Sequence, residues 1–455
     1  VKALSGFVRV AYAPGAPLVA YKLAADAFSK AAMLMVSVAA ARALAPGDFG
    51  VFALALTTGW LLGVASDAGL PMYLATRVAQ AVSTGGRVDR LVEDVMRWRR
   101  ALALAAFLAG AGVAAALLPS SVWLPFLLVV VHQLCGAAFE TLAHAYRGLG
   151  RVELEATLAI AWRAAMTLGA LIVLALAPSL TALAIAMLLP AMAALLASHA
   201  LARRVVVEHR GLRGRVTGVD SAHAASEGRD ATPHIVTSRH GAPETRTAGT
   251  PDPHASVLDA IRFRADVAPL GLAVLLSALY FRCDVYFLEW THGLEAVGVY
   301  NAAFRIVEAL RLFPAAALAV VYPVLCRATD LRPLGMLSGL LGAVSLVMAL
   351  AVALSAESLL ALIYGATFAA GAPALRVLAL CIPFFFVNYA LTHQVIAWQP
   401  GRTYLAIAAA ALAVNLAGNA ALIPEHGMVG AALSTLITEA VVTGGSVAAL
   451  AARRR

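Results

Sequence analysis

Long apolar runs alternate with short polar connections along almost the whole chain. A helix needs about 20 apolar residues to cross the ~30 Å hydrocarbon layer of a bilayer. On that criterion the sequence holds twelve candidate spans: 17–44, 50–73, 101–118, 122–146, 156–177, 180–201, 267–290, 297–322, 334–354, 374–397, 403–422 and 428–451. The segment 357–371 is shorter and reads as an outer loop or half-helix. Composition agrees, because the 455 residues are 62% hydrophobic and 13% charged, with a mean hydropathy of +0.84. Soluble chains run nearer 45–50% apolar and about 25% charged, and a soluble chain of this length needs polar surfaces for two or more domains. The pattern predicts an all-α polytopic membrane protein with about 12 transmembrane helices.

Charge orients these spans. The connections at 45–49, 119–121, 178–179, 291–296, 355–373 and 423–427 carry no Lys or Arg, and every basic residue outside the spans lies in the alternate set. By the positive-inside rule the basic set faces the cytoplasm, so both termini are expected there. Trp98, Trp123, Trp290 and Trp398 fall at predicted membrane boundaries, as an aromatic belt requires. The first span is too long for a cleavable signal and carries Lys22, Asp26 and Lys30. The net charge of +9 thus encodes orientation, and no nucleic-acid partner is expected. Cys135, Cys283, Cys326 and Cys381 lie in or beside apolar segments without paired spacing, which argues against a disulfide framework or a zinc site. No phosphate-binding G-x-x-x-x-G-K-[ST] motif occurs, and no cofactor is expected.

Six spans precede residue 202 and six follow 266, predicting an N-terminal six-helix bundle over 1–201, a cytoplasmic loop over 202–266 and a C-terminal six-helix bundle over 267–455. Residues 208–256 are rich in Arg, His, Ser, Thr, Gly and Pro and read as a disordered linker. Its irregularly spaced histidines read as solvated rather than metal-binding. The halves share a weak repeat: Asp48-Phe49-Gly50-Val51-Phe52 opens the second span, and Glu295-Ala296-Val297-Gly298-Val299-Tyr300 opens the eighth. Six spans per half put the halves in one orientation, a parallel repeat of the kind transporters use, with the substrate site between halves.

Charges inside the spans carry the chemistry, since each costs roughly 2.5–3.5 kcal/mol at mid-depth. The bases are Lys22, Lys30, Arg42, Arg163, Arg282, Arg305, Arg311 and Arg376; the acids are Asp26, Asp67, Glu140, Asp284, Glu289, Glu308 and Glu439. Lys22, Arg42, Arg163 and Arg376 are near enough to span ends to be explained by snorkelling. Lys22, Asp26 and Lys30 share one face of the first span; His132, Gln133, Glu140, His144 and Arg147 one stripe of the fourth; Asn301, Arg305, Glu308 and Arg311 one stripe of the eighth. Acid–base pairs at such spacing can simply lock helices together. Three stripes together favour a water-filled cationic cavity able to hold a phosphate or pyrophosphate. Lys30, Arg282, Arg305 and Arg311 are the candidate substrate-binding residues. Asp26, Glu140, Asp284 and Glu308 are the candidates for exchanging a coupling H+ or Na+.

Several stretches resemble a known family. "ARALAPGDFGVFALAL" with Asp67-Ala68-Gly69-Leu70, residues 282–325 and "NLAGNAALIPEHGMVGAALSTLITEAV" (415–441) are similar to the Wzx-like polysaccharide flippases of the multidrug/oligosaccharidyl-lipid/polysaccharide (MOP) exporter superfamily. Asp67, Gly69, Asp284, Gly298, Tyr300, Arg305, Pro323, Asn415, Asn419 and Gly430 match that pattern, mostly as packing landmarks. The resemblance implies two six-helix bundles in a V around a central cavity, and ion-driven alternating access. It also implies flipping of undecaprenyl-pyrophosphate-linked oligosaccharide to the outer leaflet of the bacterial inner membrane, for exopolysaccharide, O-antigen or capsule. Membrane lipids and other polysaccharide-assembly membrane proteins would be its partners, and no enzymatic step is expected. The alternatives are a multidrug antiporter of the same superfamily, which would line its cavity with acids and aromatics, and a membrane-embedded polymerase or ligase. The latter chemistry needs a sizeable outer loop that this sequence lacks.

Overall fold

A computed structural model describes residues 16–67, 69–84, 87–227, 253–318 and 332–452, with no β-strand among them. The N-terminal half comprises α1 (Ala16–Ala43), α2 (Pro46–Asp67), α3 (Leu70–Thr84), α4 (Val88–Leu117), α5 (Trp123–Gly148), α6 (Val152–Leu176) and α7 (Leu180–Glu227). The C-terminal half comprises α8 (Pro253–Arg282), α9 (Asp284–Leu310), α10 (Arg332–Leu354), α11 (Ala356–Tyr364), α12 (Ala372–Trp398) and α13 (Gly401–Ala452).

Among the described residues, ten helical stretches are long and apolar enough to cross a bilayer. Two of them, Ala268–Leu318 and Gly401–Ala452, are 51 and 52 residues long; at 1.5 Å per residue each would span about 77 Å if straight, more than twice the hydrocarbon thickness. Each instead folds back on itself at one glycine. Gly293 takes φ 79° and Gly427 φ 53°, left-handed values that side chains with a Cβ rarely adopt. Bonds across each reversal confirm the antiparallel limbs: the Tyr300 hydroxyl donates to Asp284 at 2.5 Å, and Asn415 Nδ2 donates to Thr438 Oγ1 at 3.0 Å. The ten stretches therefore make twelve crossings, and the chain is a multi-pass membrane protein.

Three boundaries differ from the sequence reading. The second span ends at Asp67 rather than 73, and the chain turns at Gly69 into the separate short helix α3, whose Leu74 and Val78 pack against Val92, Val95, Met96 and Leu142. The third crossing starts at Val88 rather than 101, because Val88, Val92, Val95 and Met96 continue an apolar face that the intervening arginines mask in a simple hydropathy count. The loop expected over 202–266 is helical at both ends, to Glu227 and from Pro253; residues 228–252 lie outside the described residues, as do Cys326 and Pro323.

The halves meet chiefly where α2 packs on α9. Gly50 stands against the Leu294 carbonyl and Gly298 against the Pro46 carbonyl. Each glycine thus touches the backbone four residues before its counterpart in the other half. The two copies of the sequence repeat face each other across the interface.

Candidate functional site

The contact between halves runs along α2 from its first residues to about its middle. Phe49 packs edge-on against Phe368, with ring centroids 5.5 Å apart, and Arg42 donates to the Leu362 and Ile363 carbonyls at the end of α11. A little over two turns further along α2, Thr58 accepts from the Tyr286 hydroxyl at 2.9 Å and Thr57 accepts from Arg282 Nη2 at 2.9 Å. Trp60 meets Phe281 edge-on at 6.5 Å. Thr57 lies about 16 Å along the helix from Pro46, near mid-membrane. The halves are therefore joined over the end that bears the arginine-free connections.

A cavity of about 140 Å³ opens at this mid-depth layer. Met33 of α1, Leu56, Thr57 and Trp60 of α2, Gln133 of α5 and Arg163 of α6 supply one wall; Phe281 and Arg282 of α8 with Arg305 and Glu308 of α9 supply the other. Three guanidinium groups and one carboxylate make it net positive. Arg282 is 4% exposed. Its Nη2 bonds Thr57 and Asn301, its plane lies 4.6 Å from the Phe304 ring centre, and its buried Nη1 has no partner among the described residues. Arg305 Nη1 pairs with Glu308 at 2.7 Å while both stay partly exposed. Arg163 lies 4.1 Å from the Trp162 ring centre, and the hydrogen-bond acceptor it meets among the described residues is the Met166 sulfur at 3.7 Å. One buried guanidinium donor without a partner among the described residues, with two half-buried guanidinium groups beside it and a single acid, suits a multiply charged anion.

The structure thus brings together Arg282, Arg305 and Glu308 of the sequence candidates. Arg311 sits behind them, its guanidinium 4.4 Å from the ring centre of Phe281 and 5.2 Å from that of Phe385. Lys30 and Glu140 are exposed; they lie on the α1 and α5 stripes below Met33 and Gln133, outside the cavity wall. Asp26 is drawn into a cluster away from the cavity, bonded to Lys22 at 2.5 Å, with Lys22 also 2.9 Å from Glu155. Glu155 is 2% exposed and receives both Arg147 Nε and Nη2, so this cluster is a helix lock. Asp284 is buried in the C-terminal half, its oxygens taken by the Val285 amide and the Tyr300 hydroxyl. His132 is a packing residue bonded to the Met187 carbonyl. Arg163, which position in its span had explained as snorkelling, lines the cavity. Glu155 fell one residue outside a predicted span.

Comparison with solved structures gives the architecture its relatives. The fold is similar to that of an inward-facing multidrug-resistance MATE transporter of the MOP superfamily, with TM-score 0.65, 13% identity and 92% of this chain aligned to 93% of that one. The chain has the fold of a MOP-superfamily transporter. The lipid II flippase MurJ, in an inward closed conformation, aligns with TM-score 0.61 and 13% identity over 95% of this chain and 87% of that chain. A MOP transporter from Pyrococcus furiosus with a binding pocket of reverse polarity aligns with TM-score 0.57 and 13% identity over 99% and 96%. No protein-family model and no curated protein matches the chain in sequence.

Proposed function

We propose that this protein is a flippase that moves a pyrophosphate-linked oligosaccharide lipid from the cytoplasmic to the outer leaflet by ion-coupled alternating access. The observation that carries the reading is the net positive cavity between the halves, walled by Arg163, Arg282, Arg305 and Glu308. A cationic drug would meet like charge there, whereas a diphosphate would meet planar, bidentate donors. The positive-inside pattern makes the closed end the outer one, so the cleft faces the cytoplasm, where lipid-linked sugars are assembled. In this state the headgroup enters between the halves, the diphosphate binds Arg163, Arg282 and Arg305, and the lipid tail stays in the bilayer. Anion binding compensates the charge on both walls and so favours their approach on the inner side, which requires the outer contacts to part.

The test uses cells lacking the protein, with the sidedness of lipid-linked sugar read by an impermeant lectin. Accumulation confined to the cytoplasmic leaflet, cleared by the wild-type protein but not by an Arg163→Gln, Arg305→Gln double variant, is the expected result. Accumulation on the outer face would transfer the protein to polymerisation or ligation. No accumulation, with new sensitivity to cationic drugs, would make it a multidrug antiporter.

A further inference from the structure

The acids within the spans differ sharply in what they touch. Asp26 pairs with Lys22, Asp67 with Arg99, Glu308 with Arg305, and Glu155 at the start of α6 with Arg147 and Lys22. Asp284 holds two donors, Glu140 is exposed and Glu289 half-buried. Glu439, midway along the second limb of α13, fits none of these patterns. It is 4% exposed, it forms no ion pair among the described residues, and its side chain receives one hydrogen bond, from the neutral amide of Asn388 at 2.7 Å. That amide is fixed in orientation, because Asn388 Oδ1 accepts from the Thr443 hydroxyl at 2.7 Å.

A carboxylate taken out of water without a cation beside it is strongly disfavoured, and the group takes up a proton instead. A single N–H donor suits the carbonyl oxygen of a neutral acid and leaves the O–H free. The titratable or charged groups that face Glu439 are Tyr280 from α8, Tyr404 from the first limb of α13, Cys381 from α12 and Arg311 at the end of α9. Of these only Arg311 is a base, and its guanidinium is occupied by Phe281 and Phe385. Phe281 is itself a wall of the cavity.

We propose that Glu439 is a proton-carrying site of the C-terminal half, linked to the cavity through Arg311 and Phe281. With the proton on, the acid is neutral and Arg311 stays stacked on the two rings. When the proton leaves to water, the new carboxylate attracts Arg311, which draws it off Phe281 and changes the cavity wall. Proton binding and cavity shape are then coupled in both directions. The coupling role rests on the flippase reading; the proton site itself does not.

Infrared spectroscopy of the purified full-length protein in lipid nanodiscs separates the two. A free glutamic acid is ionised at neutral pH. A carboxylic-acid C=O band that persists near pH 7 in the wild type and disappears in Glu439→Gln is the expected result, with Asn388→Leu shifting the band should the first variant fail to insert. Glu439→Gln is also expected to lower pH-gradient-driven flipping about tenfold, within the range of ordinary coupling energies, while lipid-linked substrate still binds. Spectra of wild type and both variants that coincide from pH 5 to pH 9 would overturn the proton site. A Glu439 band with no flipping in any protein would retain it and overturn the flippase reading instead.

Discussion

Adding one carbon at Gly50 tests how the closed face, the outer one in the proposed orientation, is held shut. A Cβ built there stands 1.8 Å from the Leu294 carbonyl oxygen and 2.6 Å from its carbon. Ordinary contact needs about 3.5 Å, so Gly50→Ala must part α2 from α9 by more than an ångström. Both obstacles are helix backbone, which cannot rotate away as a side chain could. The closed state would also surrender some of the Phe49–Phe368 contact and strain the Tyr286–Thr58 bond a little over two turns further in. Overpacking of this kind costs about 1–3 kcal/mol, and a value near 2 kcal/mol displaces the equilibrium between closed and open outer faces roughly 30-fold. At Gly298 the same addition meets the Pro46 carbonyl oxygen at 2.9 Å and Gly50 N at 3.2 Å, so Gly298→Ala displaces it in the same direction but less. The assay introduces a single thiol by Phe368→Cys, in a background without native cysteines, and labels it from outside with an impermeant maleimide. Phe368 is 2% exposed in the closed face, so labelling at that position reports opening. Equal labelling rates in parent and Gly50→Ala, or a larger effect from Gly298→Ala, would refute the argument.

Two further predictions concern arginines outside the cavity. Arg42 donates to two carbonyls at the C-terminal end of α11, a placement that also suits the helix dipole; Arg42→Gln loses about 1 kcal/mol of outer closure, and the same maleimide assay should show about fivefold faster labelling. Arg99 is fully buried, with Asp67 at 2.5 Å as its one partner and its Nε and Nη2 unpaired among the described residues. Asp67→Asn should therefore destabilise by about 2 kcal/mol, discounted because Asp67 is itself partly exposed, whereas Arg99→Met with Asp67→Asn should regain most of the loss. Thermal unfolding in detergent checks the order, and a double variant less stable than Asp67→Asn alone would contradict it.

The crossings were legible because a bilayer sets a length that each helix must meet, and little else in folding is so uniform. The equivalence of Gly50 and Gly298 was also legible, since the same acid–Gly–Val–aromatic signature stands at the same place in each half; that the two meet across the interface was not, because equivalent positions in a parallel repeat need not touch. The short helix α3 was not. Residues 70–84 mix Leu74 and Val78 with Thr76, Arg77 and Gln80, and only the pocket formed by Val92, Val95 and Leu142 makes them a packed amphipathic turn. The early start of α4 failed for a related reason: Arg97, Arg99 and Arg100 lower its hydropathy, yet Arg99 points inward to Asp67.

Local spacing alone could not assign the charged pairs. Lys22 with Asp26 and Arg305 with Glu308 are both acid–base pairs one helical turn apart, and each reads equally as a lock or as half of a cavity. What separates them lies elsewhere in the chain. Glu155 reaches Lys22 from α6 and brings Arg147 with it, which closes the first pair into a lock. Across from Arg305, α2 and α6 offer Thr57, Trp60 and Arg163, none of which can neutralise it, so the second pair stays open to a ligand. Glu439 carries the same logic to its limit, since a lone acid in an apolar run has no local partner to read, and its meaning depends on Asn388 and Arg311 from two other helices. Charge in a membrane helix announces that something must compensate it; the fold decides whether that compensation comes from another side chain, from a proton or from the substrate.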